Sequence, residues 1–227
     1  MLLRTAAQRQ KHTEGLRKAY NLKIRRTANA GVLIELDGLS ILLDGVCNKI
    51  APYEETPESI RKELRENFPD IVAFTHAHGD HYDRDYAELY KKATLRSVCG
   101  PESFLFKSFG DVSLTGIPTR HIGKFEIEHT SFVLEGSRTV WFMGDSSPLE
   151  WKNKENLPVP DVVIVPFAFA NTDSAWKITK SLGAEAVVIV HMPERGQDTY
   201  GIWETVKRTV GNDKNVFIPK MGEIVEL

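Results

Sequence analysis

Three of the chain's seven histidines fall within six residues, in the run Thr75-His76-Ala77-His78-Gly79-Asp80-His81. The cluster follows Asp70-Ile71-Val72-Ala73-Phe74-Thr75, a short apolar run that reads as a buried strand. At a strand end, residues two apart point to the same side, so His76 and His78 can converge on one metal ion. Gly79 is expected to let the backbone turn sharply. Asp80 and His81 then lie beyond the turn, where they can address a second ion beside the first. Imidazole with carboxylate suits zinc, iron or manganese better than calcium or magnesium.

The rest of the chain reads as sheet flanked by helices. Gly31-Val32-Leu33-Ile34-Glu35-Leu36, a turn at Asp37-Gly38, and Leu39 to Leu43 form a hairpin that stops at Asp44. A helix is expected from Thr56 as N-cap, with Pro57 first, through Leu64. The second half repeats the plan. Ser131 to Glu135 and Thr139 to Met143 flank a turn and stop at Gly144-Asp145. Asp161 to Val165 is a buried strand, a helix spans Asp173 to Leu182, and Val187 to Val190 ends at His191. Short apolar strands of this kind need cover on both faces. Two similar halves, each a sheet with helices, imply an α/β protein with a four-layer αββα sandwich. We read residues 1–227 as one domain, with residues 1–20 as an N-terminal helical arm.

Charge and cysteine usage narrow the partners. Lys and Arg number 29 against 31 Asp and Glu, a net charge of −2. That balance offers no whole-protein attraction to nucleic acid or anionic membrane. Cys47 and Cys99 read as two buried, reduced thiols rather than a disulfide framework. No run approaches the ~18 apolar residues of a membrane helix, and Met1 to Gly15 is too polar for a signal peptide. A cytoplasmic location is expected. The N-terminal arm could support a homo-oligomer.

His76-Ala77-His78-Gly79-Asp80-His81 matches the HxHxDH motif of the metallo-β-lactamase superfamily at every fixed position. From about Leu22 to Leu227 the order of acidic and histidine residues also resembles that family: Asp44, the motif, His121 or His129, Asp145, His191. The compact length and the ending Ile218-Pro219-Lys220-Met221-Gly222-Glu223 resemble the small hydrolases similar to ascorbate-6-phosphate lactonase. The resemblance implies two divalent metal ions, zinc first, with manganese or iron as alternatives. His76, His78 and a third histidine would hold one ion; Asp80, His81 and His191 the other; Asp145 would bridge. Two ions ~3.5–4 Å apart can share a hydroxide nucleophile and stabilise an oxyanion. The implied reaction is hydrolysis of an ester, lactone or phosphodiester. Iron-dependent redox chemistry and a non-catalytic binding role are the alternatives.

Several residues keep two readings. His121, in a loop after Val112 to Ile117, is preferred over His129 as third ligand because strand-end loops face such a site. His129 then becomes a catalytic residue on the substrate side or a residue supporting a ligand. Asp44 is either a turn residue or a carboxylate that orients a ligand histidine. The pocket is expected between Tyr82, Arg120, Phe167, Phe169 and the loop Met192-Pro193-Glu194-Arg195-Gly196. Arg120 and Arg195 are either solvated or bind an anionic group on a small-molecule substrate. Trp176 and Trp203 are read as core.

Overall fold

A computed structural model describes residues 22–100, 106–123, 127–152 and 156–227. The first sheet contains β1 (Lys23–Arg26), β2 (Val32–Leu36), β3 (Leu39–Leu43), β4 (Ile71–Ala73) and β12 (Ile224–Glu226), in spatial order β12-β1-β2-β3-β4. The second contains β5 (Phe106–Phe109), β6 (Val112–Pro118), β7 (Thr130–Glu135), β8 (Thr139–Phe142), β9 (Val162–Pro166), β10 (Ala186–Val190) and β11 (Val216–Phe217), in order β11-β10-β9-β8-β7-β6-β5. The helices are α1 (Glu58–Glu66), α2 (Arg84–Thr94), α3 (Asp173–Ser181) and α4 (Ile202–Val210).

Period-two alternation divides the apolar side chains among three cores. Ile41 and Leu43 of β3 join Phe132 and Leu134 of β7, Val140 and Phe142 of β8, and Val188 and Val190 of β10 in one core between the sheets. Leu42 and Val72 point the other way, to Ile60 and Leu64 of α1 and Tyr86, Ala87 and Tyr90 of α2. Val133, Trp141, Val163 and Ile189 face outward on the second sheet, to Trp176 of α3 and Val206 of α4. Helix, sheet, sheet, helix is the expected four-layer sandwich. Trp176 is core, and Trp203 packs at that core's edge.

The halves are less separate than the sequence plan suggests. The last strand returns to the first sheet, where β12 pairs antiparallel with β1. Leu22 and Leu227 exchange backbone hydrogen bonds at the end of that pairing. The Asp37-Gly38 turn forms as expected, with φ of 51° and 82°, the left-handed pair that matches hairpin twist. Asp37 then accepts hydrogen bonds from the Ser137 backbone and hydroxyl, tying this turn to the opposite sheet's hairpin.

The helix expected from Thr56 starts at Glu58, with Pro57 in the cap position, and runs on to Glu66. The Thr56 hydroxyl is diverted to the Cys47 amide, 3.0 Å away, which fastens the loop after β3 instead of capping. Helix α2 was not anticipated. Its signals are Asp83, whose side chain accepts from Tyr86 N, and the buried series Tyr86, Ala87, Tyr90. Cys47 and Cys99 are both buried free thiols. Among the described residues no helix is long and apolar enough to cross a membrane. The expected N-terminal arm lies outside the described residues.

Candidate metal centre

Every chemistry-bearing residue of the motif series lies just past the carboxyl end of a strand. Asp44 follows β3, the His76 cluster follows β4, His121 follows β6, Asp145 follows β8 and His191 follows β10. β3 and β4 run parallel, as do β8, β9 and β10. Parallel strands deliver their ends to the same edge of the sandwich, which is where sites form in such sheets.

Two donor groups result at the centre, besides a third formed by Asp44, His76 and His81. The ligand atoms of His76, His78 and His121 lie within 4.8 Å of one another, as do those of Asp80, His81 and His191. Asp145 sits between them. Its Oδ2 is 3.4 Å from His81 Nε2, 3.4 Å from His191 Nε2 and 3.7 Å from His121 Nε2. Asp80 Oδ2 is 3.4 Å from His191 Nε2. His129 is outside both groups.

The backs of the rings fix which nitrogen faces the centre. Asp44 is fully buried, and its Oδ1 accepts the Thr75 amide at 2.7 Å. Its Oδ2 accepts the Thr75 hydroxyl at 2.6 Å and His81 Nδ1–H at 2.8 Å. The Thr75 oxygen in turn lies 3.0 Å from His76 Nδ1 and can accept its proton. His121 Nδ1 donates to the Ile122 carbonyl at 2.6 Å. One carboxylate, one hydroxyl and one carbonyl thus hold protons on three Nδ1 atoms and leave three Nε2 lone pairs facing inward. Of Asp44's two readings, the carboxylate that orients a histidine is the one the structure contains.

That arrangement fits a metal. The Nε2 atoms of His81, His121 and His191 are buried without a hydrogen-bond partner. Buried polar atoms are ordinarily satisfied, and three such nitrogens converging on one carboxylate fit a cation. Electrostatics agree. Burial opposes charge on Asp145, yet His191 and His81 outweigh it and hold the carboxyl well below its usual range. Burial also disfavours a charged His81, and Asp145 with Asp44 overcomes it, raising that imidazole. Without a cation, protonated imidazoles are what balance the carboxylates. Burial, reinforced by His81, pushes His76 far down, which keeps it a neutral donor.

His129 departs from the catalytic role considered for it. Its Nε2 accepts the Asp145 amide at 2.9 Å, and its Nδ1 pairs with the Thr119 hydroxyl at 2.8 Å. Thr119 continues to Ser131, whose hydroxyl donates to the Met143 carbonyl. Both ring nitrogens are committed, so none remains for a substrate or a metal. Burial lowers its pKa to about 3, so the ring stays a neutral acceptor. It is a positioning residue for the strand end that carries Asp145.

Backbone constraints hold the same strand end. Gly144 has φ of +53°, and a Cβ there would lie 2.6 Å from Thr75 Cγ2 and 2.8 Å from His129 Nε2. Only glycine fits both the conformation and the space. Gly79, by contrast, is not in the left-handed region; a Cβ there would press on Ile50 at 3.1 Å. The motif turn is instead closed by His81 N and Tyr82 N donating to the His78 carbonyl. His191 itself has φ of 59°, an uncommon conformation for histidine that is found at functional sites.

A cavity of about 500 Å³ opens beside Asp145 and His191. Phe167 lines it as expected, and so does Tyr53, whose ring packs edge-on against His191 with centroids 4.3 Å apart. Sequence reading missed Tyr53, because nothing local marks a tyrosine in the loop before α1. Five expected wall residues lie elsewhere. Phe169 is fully buried in the core under α3, where Met192 also packs. Tyr82 packs edge-on against Phe74. Arg195 lies over the Trp203 ring at 4.0 Å. Arg120 is largely exposed and faces Glu150 at 3.8 Å.

Comparison with known proteins bears on the family. No match was found among curated protein sequences. Among solved structures, a possible metal-dependent hydrolase from Veillonella parvula is similar over 90% of this chain and 99% of its own, at 18% identity and a TM-score of 0.63. An isothiocyanate hydrolase from Delia radicum gut bacteria is similar over 89% and 98%, at 16% identity and a TM-score of 0.60. CmlA, a diiron β-hydroxylase from Streptomyces venezuelae, is similar over 91% of this chain and 54% of its own, at 14% identity and a TM-score of 0.60. At such identities these likenesses show the fold. Residues 23–191 match the family described as the β-lactamase superfamily domain, a span that carries the strand-end donor series from Asp44 to His191, so the chain belongs to the metallo-β-lactamase superfamily.

Proposed function

We propose that the protein is a hydrolase that holds two divalent metal ions, zinc in the first place, and cleaves an ester, lactone or phosphodiester bond in a small molecule. The observation that carries this reading is the set of buried, partnerless Nε2 atoms of His81, His121 and His191 around Asp145 Oδ2. His76, His78 and His121 would hold one ion, Asp80, His81 and His191 the other, and Asp145 would reach both. Bound there, the ions would supply a water acidic enough to attack at neutral pH and positive charge for the oxygen that becomes anionic. Asp44 and Thr75 engage Nδ1 of His81 and His76, so that Nε2 is the nitrogen each ring would offer an ion, and His129 fixes the Asp145 backbone. Asp80 Oδ2, beside His191, is positioned to take the proton released by the attacking water.

A diiron hydroxylase shares the fold, so metal identity is the decisive measurement. Elemental analysis of protein purified without chelator, and again after reconstitution, is expected to give close to two ions per chain. The reconstituted protein should hydrolyse p-nitrophenyl butyrate or bis(p-nitrophenyl) phosphate, and Asp80→Ala should lower that rate by about a hundredfold or more with the fold retained. No bound metal, or near-normal activity in Asp80→Ala, would refute the reading. Iron together with oxygen consumption would move it to redox chemistry.

A further inference from the structure

We infer that the cavity beside Asp145 and His191 receives an uncharged, apolar arm of the substrate, which for an ester or lactone is an aliphatic or aromatic acyl group. The inference rests on the hydrolase reading and names the substrate class for the same site. Asp145 and His191 form the wall shared with the metal centre. Phe167, Leu149 and, from α3, Ala175 and Ile178 supply apolar lining. The volume of about 500 Å³ lies in the range that encloses a small organic ligand.

Charge decides the class. Among the described residues that line the cavity there is no lysine or arginine, and the one carboxylate is Asp145. Arg120 and Arg195, the cations that the sequence offers for this role, face Glu150 and Trp203 instead. Apart from Asp145 and His191, the polar lining residues are Tyr53, Ser147, Asn171, Thr172 and Ser174, none of them a cation. Away from the wall shared with the metal centre, a carboxylate or phosphate on the arm would leave water for a lining that offers no lysine or arginine among the described residues, which is costly. An alkyl or aryl arm gains there, by about fourfold in affinity for each methylene fully buried.

In the reaction, the water oxygen bonds to the carbonyl carbon and the bond from that carbon to the leaving oxygen breaks. One water proton passes to the leaving alkoxide, so acid and alcohol are the only products. Nothing beyond water is consumed.

The test separates binding from turnover. Isothermal titration of the metal-loaded chain compares acetamide, hexanamide and adipamate, the last a hexanamide analogue ending in a carboxylate. Hexanamide is expected to bind about tenfold or more tightly than acetamide, allowing for partial burial of its four extra methylenes, and about tenfold more tightly than adipamate. Ser174→Lys, at an exposed rim position outside the catalytic machinery, should shrink the preference over adipamate about threefold or more. Equal or tighter binding of adipamate overturns the inference. In parallel, p-nitrophenyl hexanoate and mono-p-nitrophenyl adipate are compared for kcat/KM. The binding preference without turnover of either ester supports the pocket assignment and refutes the hydrolase reading; turnover with the adipate ester favoured does the reverse.

Discussion

Asp44→Asn is the substitution that most directly probes how the centre is prepared. Asparagine has the shape of aspartate, so packing is preserved at this fully buried position. Its single carbonyl oxygen can still accept the Thr75 amide in place of Oδ1. The amide NH2 then replaces Oδ2, which now accepts from both the Thr75 hydroxyl and His81 Nδ1–H. Two donors would meet a donor. The Thr75 hydroxyl can rotate, but His81 can relieve the conflict only by moving its proton from Nδ1 to Nε2. That places N–H where the lone pair for the Asp80, His81, His191 group should be. Each charge-assisted hydrogen bond lost is worth about 1.5–3 kcal/mol. Every 1.4 kcal/mol is tenfold in affinity, and loss of such supporting partners commonly weakens metal binding about 10–100-fold. The expected result is one metal equivalent bound nearly as in the parent and a second weakened about 10–100-fold. Competition with a chromophoric chelator would read both equivalents, with circular dichroism as the check on folding. A folded Asp44→Asn protein that binds both equivalents within twofold of the parent would refute the argument that Asp44 sets the His81 tautomer.

Three further outcomes are expected. Gly144→Ala should lower unfolding free energy by about 2–4 kcal/mol in urea titrations, from a left-handed alanine at about 1–2 kcal/mol and an overpacked contact with Thr75 and His129; an unchanged midpoint would mean the strand end relaxes freely. His121→Ala should lose about one metal equivalent while His129→Ala retains both, because only His121 turns a free Nε2 inward; equal retention by the two variants would remove His121 from the ligand set. At Asp70, burial acts to raise the carboxyl pKa, but hydrogen bonds from the Ser40 amide and hydroxyl and the nearby Arg96 outweigh it and lower it. The unfolded chain therefore binds that proton more readily, so Asp70 contributes stability above the ordinary aspartate pKa of about 3.9 that is lost as pH falls through its lower folded value. Acid titration of stability in parent and Asp70→Asn should show a shallower acid loss in the variant, and parallel curves would contradict the assignment.

The donors were legible because their signal is local. His76, His78, Asp80 and His81 share one short segment after an apolar run, and residue type with spacing is enough to place them at a strand end. Asp145 and His191 carry a weaker version of that signal, a polar residue ending a buried strand. The choice between His121 and His129 had no local answer. Both follow or precede strands, and they differ only in what touches their ring nitrogens: Ile122 O on one, the Asp145 amide and Thr119 on the other. Asp44 was ambiguous for the same reason, since its partners Thr75 and His81 lie 31 and 37 residues away.

The pocket was the least legible part. Its walls come from the loop before α1, the segment after β8, the turn after β9 and one face of α3, which no sequence pattern joins. Arginines that looked available for an anion lie against Glu150 and Trp203, contacts that exist only once α4 and the loops are in place. The sequence by itself determined the layer plan and the candidate donors apart from the third histidine, because alternation and strand ends are properties of neighbouring residues. Tertiary structure alone decided which ring nitrogen faces the centre, which histidine supports rather than binds, and what kind of surface waits beside it, because each of these depends on partners brought together from distant parts of the chain.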